Sequence, residues 1–307
     1  MQKLRSALNM GSSKTPTFSP ANPLLDGSTD PNPPTSLPKM AITQERVVGH
    51  PANEMLDRAS IKFEGQNSFR VLDNACGTGI VTALLKARAR SSSAGQLDIV
   101  ASDIDEKVLD LLRKRIEECG WQGVEVMNFD QASIPLPDES FTHVFTNFGI
   151  FFSQQDDKVL EGVHRILKPG GVAGFTSWKA ITWWHVPTTA LKEYVPDAPA
   201  LGDPTTQFPS QWHDESYAVK KMQDAGFSDV KSEVYKYKLD PQLAPEDFAQ
   251  AMAMLAKMVA MRRWSKDDFA KYAPSIDEAI LNVLKKEYPH GQWDQHMEAI
   301  ITIGQKS

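Results

Sequence analysis

The chain has 307 residues, of which 33 are basic and 39 acidic, giving a formal net charge of −6, and 41% are hydrophobic. This is enough for one large α/β domain with insertions. It also leaves no global basic field to hold nucleic acid. The local basic runs Lys86 to Arg90 and Arg113 to Arg115 fall on expected helices and read as solvated faces.

The first segment, 1–40, reads as a disordered tail. Gly11 to Lys39 is rich in Pro, Ser, Asn and Thr and cannot bury enough apolar surface to offset chain entropy. Met1 to Met10 carries Lys3 and Arg5 without an apolar stretch of signal-peptide length, and Met40 could be an internal start. One domain is expected over 41–307. His50 to Ile61 predicts a helix before the first strand. Strands follow at Phe69 to Asn74, Leu97 to Asp103, Val124 to Phe129, Phe141 to Asn147 and Val172 to Trp178. Helices alternate with them at Ile80 to Arg90, Glu106 to Cys119 and Gln154 to Leu167. Strict alternation implies a doubly wound, mostly parallel sheet.

Beyond Trp178 the pattern changes. Residues 179–212 hold several aromatics with little periodicity and read as a cap. Ser216 to Ala225 predicts a helix ending at Gly226, Val230 to Leu239 a strand, and His296 to Gly304 a final strand. The residues between these strands, 245–288, read as a helical insertion. No apolar run approaches a membrane span. Cys76 and Cys119 are the two cysteines and make neither a metal spacing nor a disulfide framework, which fits a reducing, cytoplasmic setting.

The stretch Val71-Leu72-Asp73-Asn74-Ala75-Cys76-Gly77-Thr78-Gly79 carries the chemistry. An apolar strand runs into a carboxylate, a loop of small residues and an amphipathic helix. Such a turn presents backbone N–H groups at the positive helix end, which suits a nucleotide or a carboxylate. Asp73 can accept from a cationic amine. A second acid, Asp103, ends the next strand and can accept from both hydroxyls of a ribose. An NAD-binding turn is the alternative. It needs three glycines and its acid well after the loop, whereas Ala75 stands at the first glycine position and an acid precedes the turn. A positive φ at Ala75 would put a β-carbon at an energetic cost. Cys76 could be a nucleophile, but a small residue lining the turn is the simpler account. Asp103 and Asp105 could instead cap the following helix, and Asp130 could stabilise a turn.

Two further motifs complete a pattern: Phe129-Asp130-Gln131-Ala132-Ser133-Ile134-Pro135-Leu136-Pro137 after the third strand, and Leu160 to Gly171 before the fifth. In this order and spacing the chain resembles the class I S-adenosylmethionine-dependent methyltransferases, of the small-molecule type found in fungal specialised metabolism. The resemblance implies a Rossmann-like, mostly parallel seven-stranded sheet with an antiparallel last strand and a helical lid. It implies S-adenosyl-L-methionine as cofactor and a small-molecule substrate methylated on O, N or C, with neither nucleic acid nor membrane as partner. It assigns the cofactor to Asp73, Ala75, Cys76, Gly77, Gly79, Asp103, Ile104, Asp130, Gln131 and Asn147.

No strong catalytic signature accompanies it. Asn147-Phe148-Gly149-Ile150 begins like the Asn-Pro-Pro-Tyr motif but lacks both prolines and the tyrosine. His185 could deprotonate a phenol or enol, since its ordinary pKa lies near neutrality; a surface or packed histidine beside tryptophans is the other reading. Phe148, Trp183 and Trp184 could wall an aromatic pocket or simply pack in the core. His143 reads as structural, His213 as a weaker base candidate, and no metal site is expected. A protein or RNA methyltransferase, or a cofactor-binding regulator without turnover, are the competing functions.

Overall fold

Seven strands alternate with helices and pair into one mixed sheet. The structure, a computed structural model, describes residues 36–61, 68–90, 96–204, 208–238, 245–289 and 296–307. The expected tail lies outside the described residues as far as residue 35. In chain order the elements are α1 (Lys39–Arg58), β1 (Phe69–Asn74), α2 (Ile80–Arg90), β2 (Leu97–Asp103), α3 (Glu106–Cys119), β3 (Val124–Asn128), β4 (Phe141–Asn147), α4 (Asp156–Ile166) and β5 (Leu167–Ala180). There follow α5 (His185–Tyr194), α6 (Glu215–Asp224), β6 (Phe227–Lys238), α7 (Pro245–Arg263), α8 (Lys266–Tyr272), α9 (Ile276–Glu287) and β7 (His296–Lys306).

The strand order is β3-β2-β1-β4-β5-β7-β6. Strands β1 to β5 pair in parallel, and β7 runs antiparallel to both β5 and β6. Central strands covered by helices on both faces need near-continuous apolar runs; Val71, Leu72, Val144 and Phe145 supply them and are fully buried. β7 is interior and its Ala-Ile-Ile run is buried, whereas β6 is the edge strand and alternates between buried or half-buried and exposed residues. α3 has a complete set of end signals. The Asp105 side chain accepts the Lys107 N–H at its start, and Gly120, at φ +63°, closes its end. The order reverses between β1 and β4, so the crevice for ligands lies beyond their carboxyl ends.

The larger differences from the sequence reading lie at α1, β5 and the segment after it. The helix expected over His50 to Ile61 begins at Lys39 and runs through Pro51. Proline has no N–H for the carbonyl four residues back, and the buried Tyr237 hydroxyl takes that place, donating to Val47 O at 2.7 Å. The Gly-His-Pro sequence thus reads as a helix start although β6 repairs the missing bond. The fifth strand extends over the Pro169-Gly170-Gly171 turn to Leu167, and an unforeseen helix, α5, occupies part of 179–212. The stretch 245–288 holds α7, α8 and α9, and α9 packs on both α5 and α7.

Candidate active site

The loop after β1 is held from several directions. Asp73 is 1% exposed, and its Oδ2 accepts from Thr82 N at 3.0 Å and Thr82 Oγ1 at 2.7 Å. Burial pushes the carboxyl up to about 7, against the lowering effect of the Thr82 bonds. Asp103 and Glu45 raise it further through their negative charge. Such a group seeks a cation. Ala75 adopts φ +55°, and the backbone of Gly149 comes so close that a β-carbon there would lie 2.7 Å from Ala75 Cβ. Gly79, at φ +87°, admits Leu112 of α3; a β-carbon would meet Leu112 Cδ1 at 2.5 Å. At Gly77, φ +54°, a β-carbon would meet nothing within 4 Å, so this backbone faces open space.

The second acid braces the loop. Asp103 Oδ2 accepts from Gly77 N at 2.9 Å and Oδ1 from Asp105 N at 3.0 Å. Helix capping therefore belongs to Asp105. Each Asp103 oxygen retains a lone pair for a further donor. Ile104 beside it is 68% exposed, unusual for its type. Asp130 is exposed and its Oδ1 accepts from Ala132 N at 2.9 Å, the expected turn. Gln131 reaches Gly149 O through Nε2 at 3.0 Å.

A cavity of about 370 Å³ opens on this loop. At one end it is lined by Asp73, Ala75, Cys76, Gly77 and Thr78, with Glu45 from α1. At the other the walls are Phe148, Phe151, Trp178, Trp183 and Phe208, and α7 roofs it with Phe248, Met254, Leu255 and Met258. Asn147, at the end of β4, is also part of the lining. Of the residues foreseen from sequence, the cavity thus brings together Asp73, Ala75, Cys76, Gly77, Asn147, Phe148 and Trp183. Gly79, Asp103, Ile104, Asp130 and Gln131 lie outside its lining, on or against the loops that form it.

Two expectations need correction. His185 does not line the cavity. It begins α5 with its side chain 49% exposed, Nδ1 3.3 Å from Thr182 O and Nε2 3.5 Å from Glu287 of α9. The turn Thr182–Trp184 aims Trp183 inward and carries the next residues away from the chamber. Trp184 also turns elsewhere, donating from Nε1 to Gly202 O at 2.6 Å. Burial pushes the Cys76 thiol well above its ordinary value, which removes it as a nucleophile. Burial also lowers His143 to about 4 between Phe69 and Phe145, a packing role. His213 lies behind the cavity wall with Phe151, Trp178 and Phe208.

The sequence reading missed a buried ion pair. Glu45 Oε1 accepts from Arg115 Nη1 at 2.6 Å and from Thr78 Oγ1 at 2.6 Å, and Arg115 also reaches Thr78 O at 3.0 Å. It ties α1 and α3 to the glycine loop. Glu45 gave no signal because burial in α1 falls on every second residue, Ala41, Thr43, Glu45 and Val47. A two-residue step turns about 200° around a helix, so α1 is covered on opposite sides and shows no single apolar face. The Phe151, Phe152 and Phe208 walls were hidden in segments without periodicity.

Residues 71–171 match the family model of a methyltransferase domain. Over this segment the chain is similar to methyltransferases. Methyltransferase ktnA of Aspergillus niger is 26% identical over 278 residues, covering 83% of this chain and 90% of its own length. The acetylaranotin bis-thiomethyltransferase of Aspergillus terreus is 24% identical over 246 residues, covering 80% and 84%. The structure of the YcgJ protein from Bacillus subtilis superposes on this chain with a TM-score of 0.52 at 15% identity, covering 84% and 98%, and shares its fold. Among the described residues no metal-ligand cluster is gathered and no helix is long and apolar enough to cross a membrane.

Proposed function

We propose that this methyltransferase takes its methyl group from S-adenosylmethionine and delivers it to a nucleophilic atom of a small, largely apolar metabolite. One observation carries the reading: a single cavity joins the Asp73 loop to a chamber walled by Phe, Trp and Met. The polar end suits the cofactor. Asp73 is a desolvated carboxylate awaiting a cation such as the amino group, and the open backbone at Gly77 gives close approach. Asp103 keeps lone pairs for the ribose, and Ile104, Asp130 and Gln131 would edge the adenine. S-adenosylmethionine would supply a methyl group on a sulfonium, which the acceptor's lone pair takes in line as the carbon–sulfur bond breaks and S-adenosylhomocysteine leaves.

The residues of the chain hold and orient. The aromatic walls exclude water, and the methionines of α7 adapt to an irregular apolar shape. In this reading α7 to α9 are the lid, residues 179–212 the cap, and α1 covers the loop through Glu45. An apolar chamber of this kind suits a compact substrate better than the polar backbone of a protein or RNA. Rate enhancement then comes from alignment and desolvation. Incubation of the purified protein with methyl-labelled S-adenosylmethionine and a metabolite extract tests this. Label appearing in an apolar, low-molecular-weight fraction supports it; label confined to protein or RNA, or none transferred, contradicts it.

A further inference from the structure

β4 and β5 run parallel with Asn147 beside Thr176, both at the crevice end of the sheet. The buried Thr176 hydroxyl accepts the Phe148 N–H at 2.9 Å and donates to Asn147 Oδ1 at 2.7 Å. A hydroxyl has one proton, and these two bonds fix where it points. With Oδ1 held by β5, the amide nitrogen of Asn147 is the end turned away. Among the described residues that nitrogen meets the Val48 carbonyl at 3.5 Å, the long limit for a hydrogen bond. Its two protons therefore leave donor capacity on a side chain that lines the cavity. The same hydroxyl restrains Phe148, whose φ of +53° is a conformation that bulky side chains rarely adopt. The Phe148 ring lies 4.2 Å from Trp178 and forms the wall next to Asn147.

We propose that Thr176 is a positioning residue of the methyl-donor site: its hydroxyl turns the Asn147 amide group to donate to the bound cofactor and locks Phe148 as the adjoining wall. Thr176 lies outside the cavity lining and acts through Asn147. The assignment rests on the reading of the cavity as a methyl-donor site.

Calorimetric titration of the full-length chain with S-adenosylhomocysteine tests it. The unmodified protein binds; N147A and T176V each bind about tenfold more weakly, as for loss of one buried hydrogen bond. T176S, which keeps the hydroxyl, stays within about threefold of the unmodified protein. The double variant T176V/N147A loses clearly less than the two single losses combined, because N147A already removes the group through which Thr176 mainly acts. A folded T176V with unchanged affinity, or additive losses in the double variant, overturns the assignment and leaves the methyl-donor reading intact. If T176V does not fold, N147A decides: unchanged affinity there overturns the assignment. No binding by the unmodified protein overturns the methyl-donor reading and this assignment with it.

Discussion

Asp73 concentrates the tension between folding and function at the scale of single residues. Its carboxyl is raised to about 7 by burial, so between its ordinary value and 7 the folded protein holds a proton that the unfolded chain releases. The folded state binds more protons in that window, and this group's contribution to stability falls as pH rises through it. Asp73→Asn keeps an oxygen for Thr82 and removes the buried charge. The variant should therefore unfold at a higher temperature above pH 7, by roughly 2–4 kcal/mol of added stability at most, with the gain vanishing toward pH 4. Thermal scans across pH check this. The same substitution should abolish cofactor binding, because the cation loses its partner. His185→Ala, in contrast, should leave both S-adenosylhomocysteine affinity and turnover unchanged, since His185 faces Glu287 at the surface; a large loss of turnover would restore it as a base. At this scale the sequence was legible where a residue type has one plausible task. Asp73 at the end of an apolar strand could be read; the orientation of His185 could not, because one turn of chain decides which of three neighbouring residues points inward.

At the scale of elements, α1 and α7 close the cavity by different physics. α1 is held by the buried Glu45–Arg115 pair. Removing one partner of such a pair strands a charge, so Arg115→Met should destabilise the fold by about 3 kcal/mol in urea titration. A change near zero would show that water already shares the site. α7 uses two apolar faces. Ala249, Met252, Ala256 and Val259 point into the core, while Phe248, Ala251, Met254, Leu255 and Met258 face the chamber. Met258→Asp should leave S-adenosylhomocysteine affinity intact and cut methyl transfer to an apolar acceptor at least about tenfold, because a desolvated carboxylate repels it. Equal transfer by the variant would place the substrate elsewhere. A helical insertion over 245–288 was expected between the last two strands. The start of α1 was not, since Pro51 signals a boundary unless a distant hydroxyl, here Tyr237, satisfies the freed carbonyl.

Across the whole molecule the sheet was the most legible feature. Five apolar strands alternating with helices admit few arrangements; the run near the C-terminus read as a strand, and its antiparallel direction came from the family resemblance. What the sequence concealed is how distant segments converge: α1, the chain around Phe208, and α7 meet over one loop although some two hundred residues separate the first from the last. Contacts of that range leave no local periodicity. The central claim is that this convergence builds a methyl-donor site. It is tested most directly by calorimetric titration of the full chain at pH 8 with S-adenosylhomocysteine and, separately, with NAD. The account predicts one saturable site for S-adenosylhomocysteine, lost in Asp73→Asn, and no heat with NAD. Saturable NAD binding without any response to S-adenosylhomocysteine would contradict it.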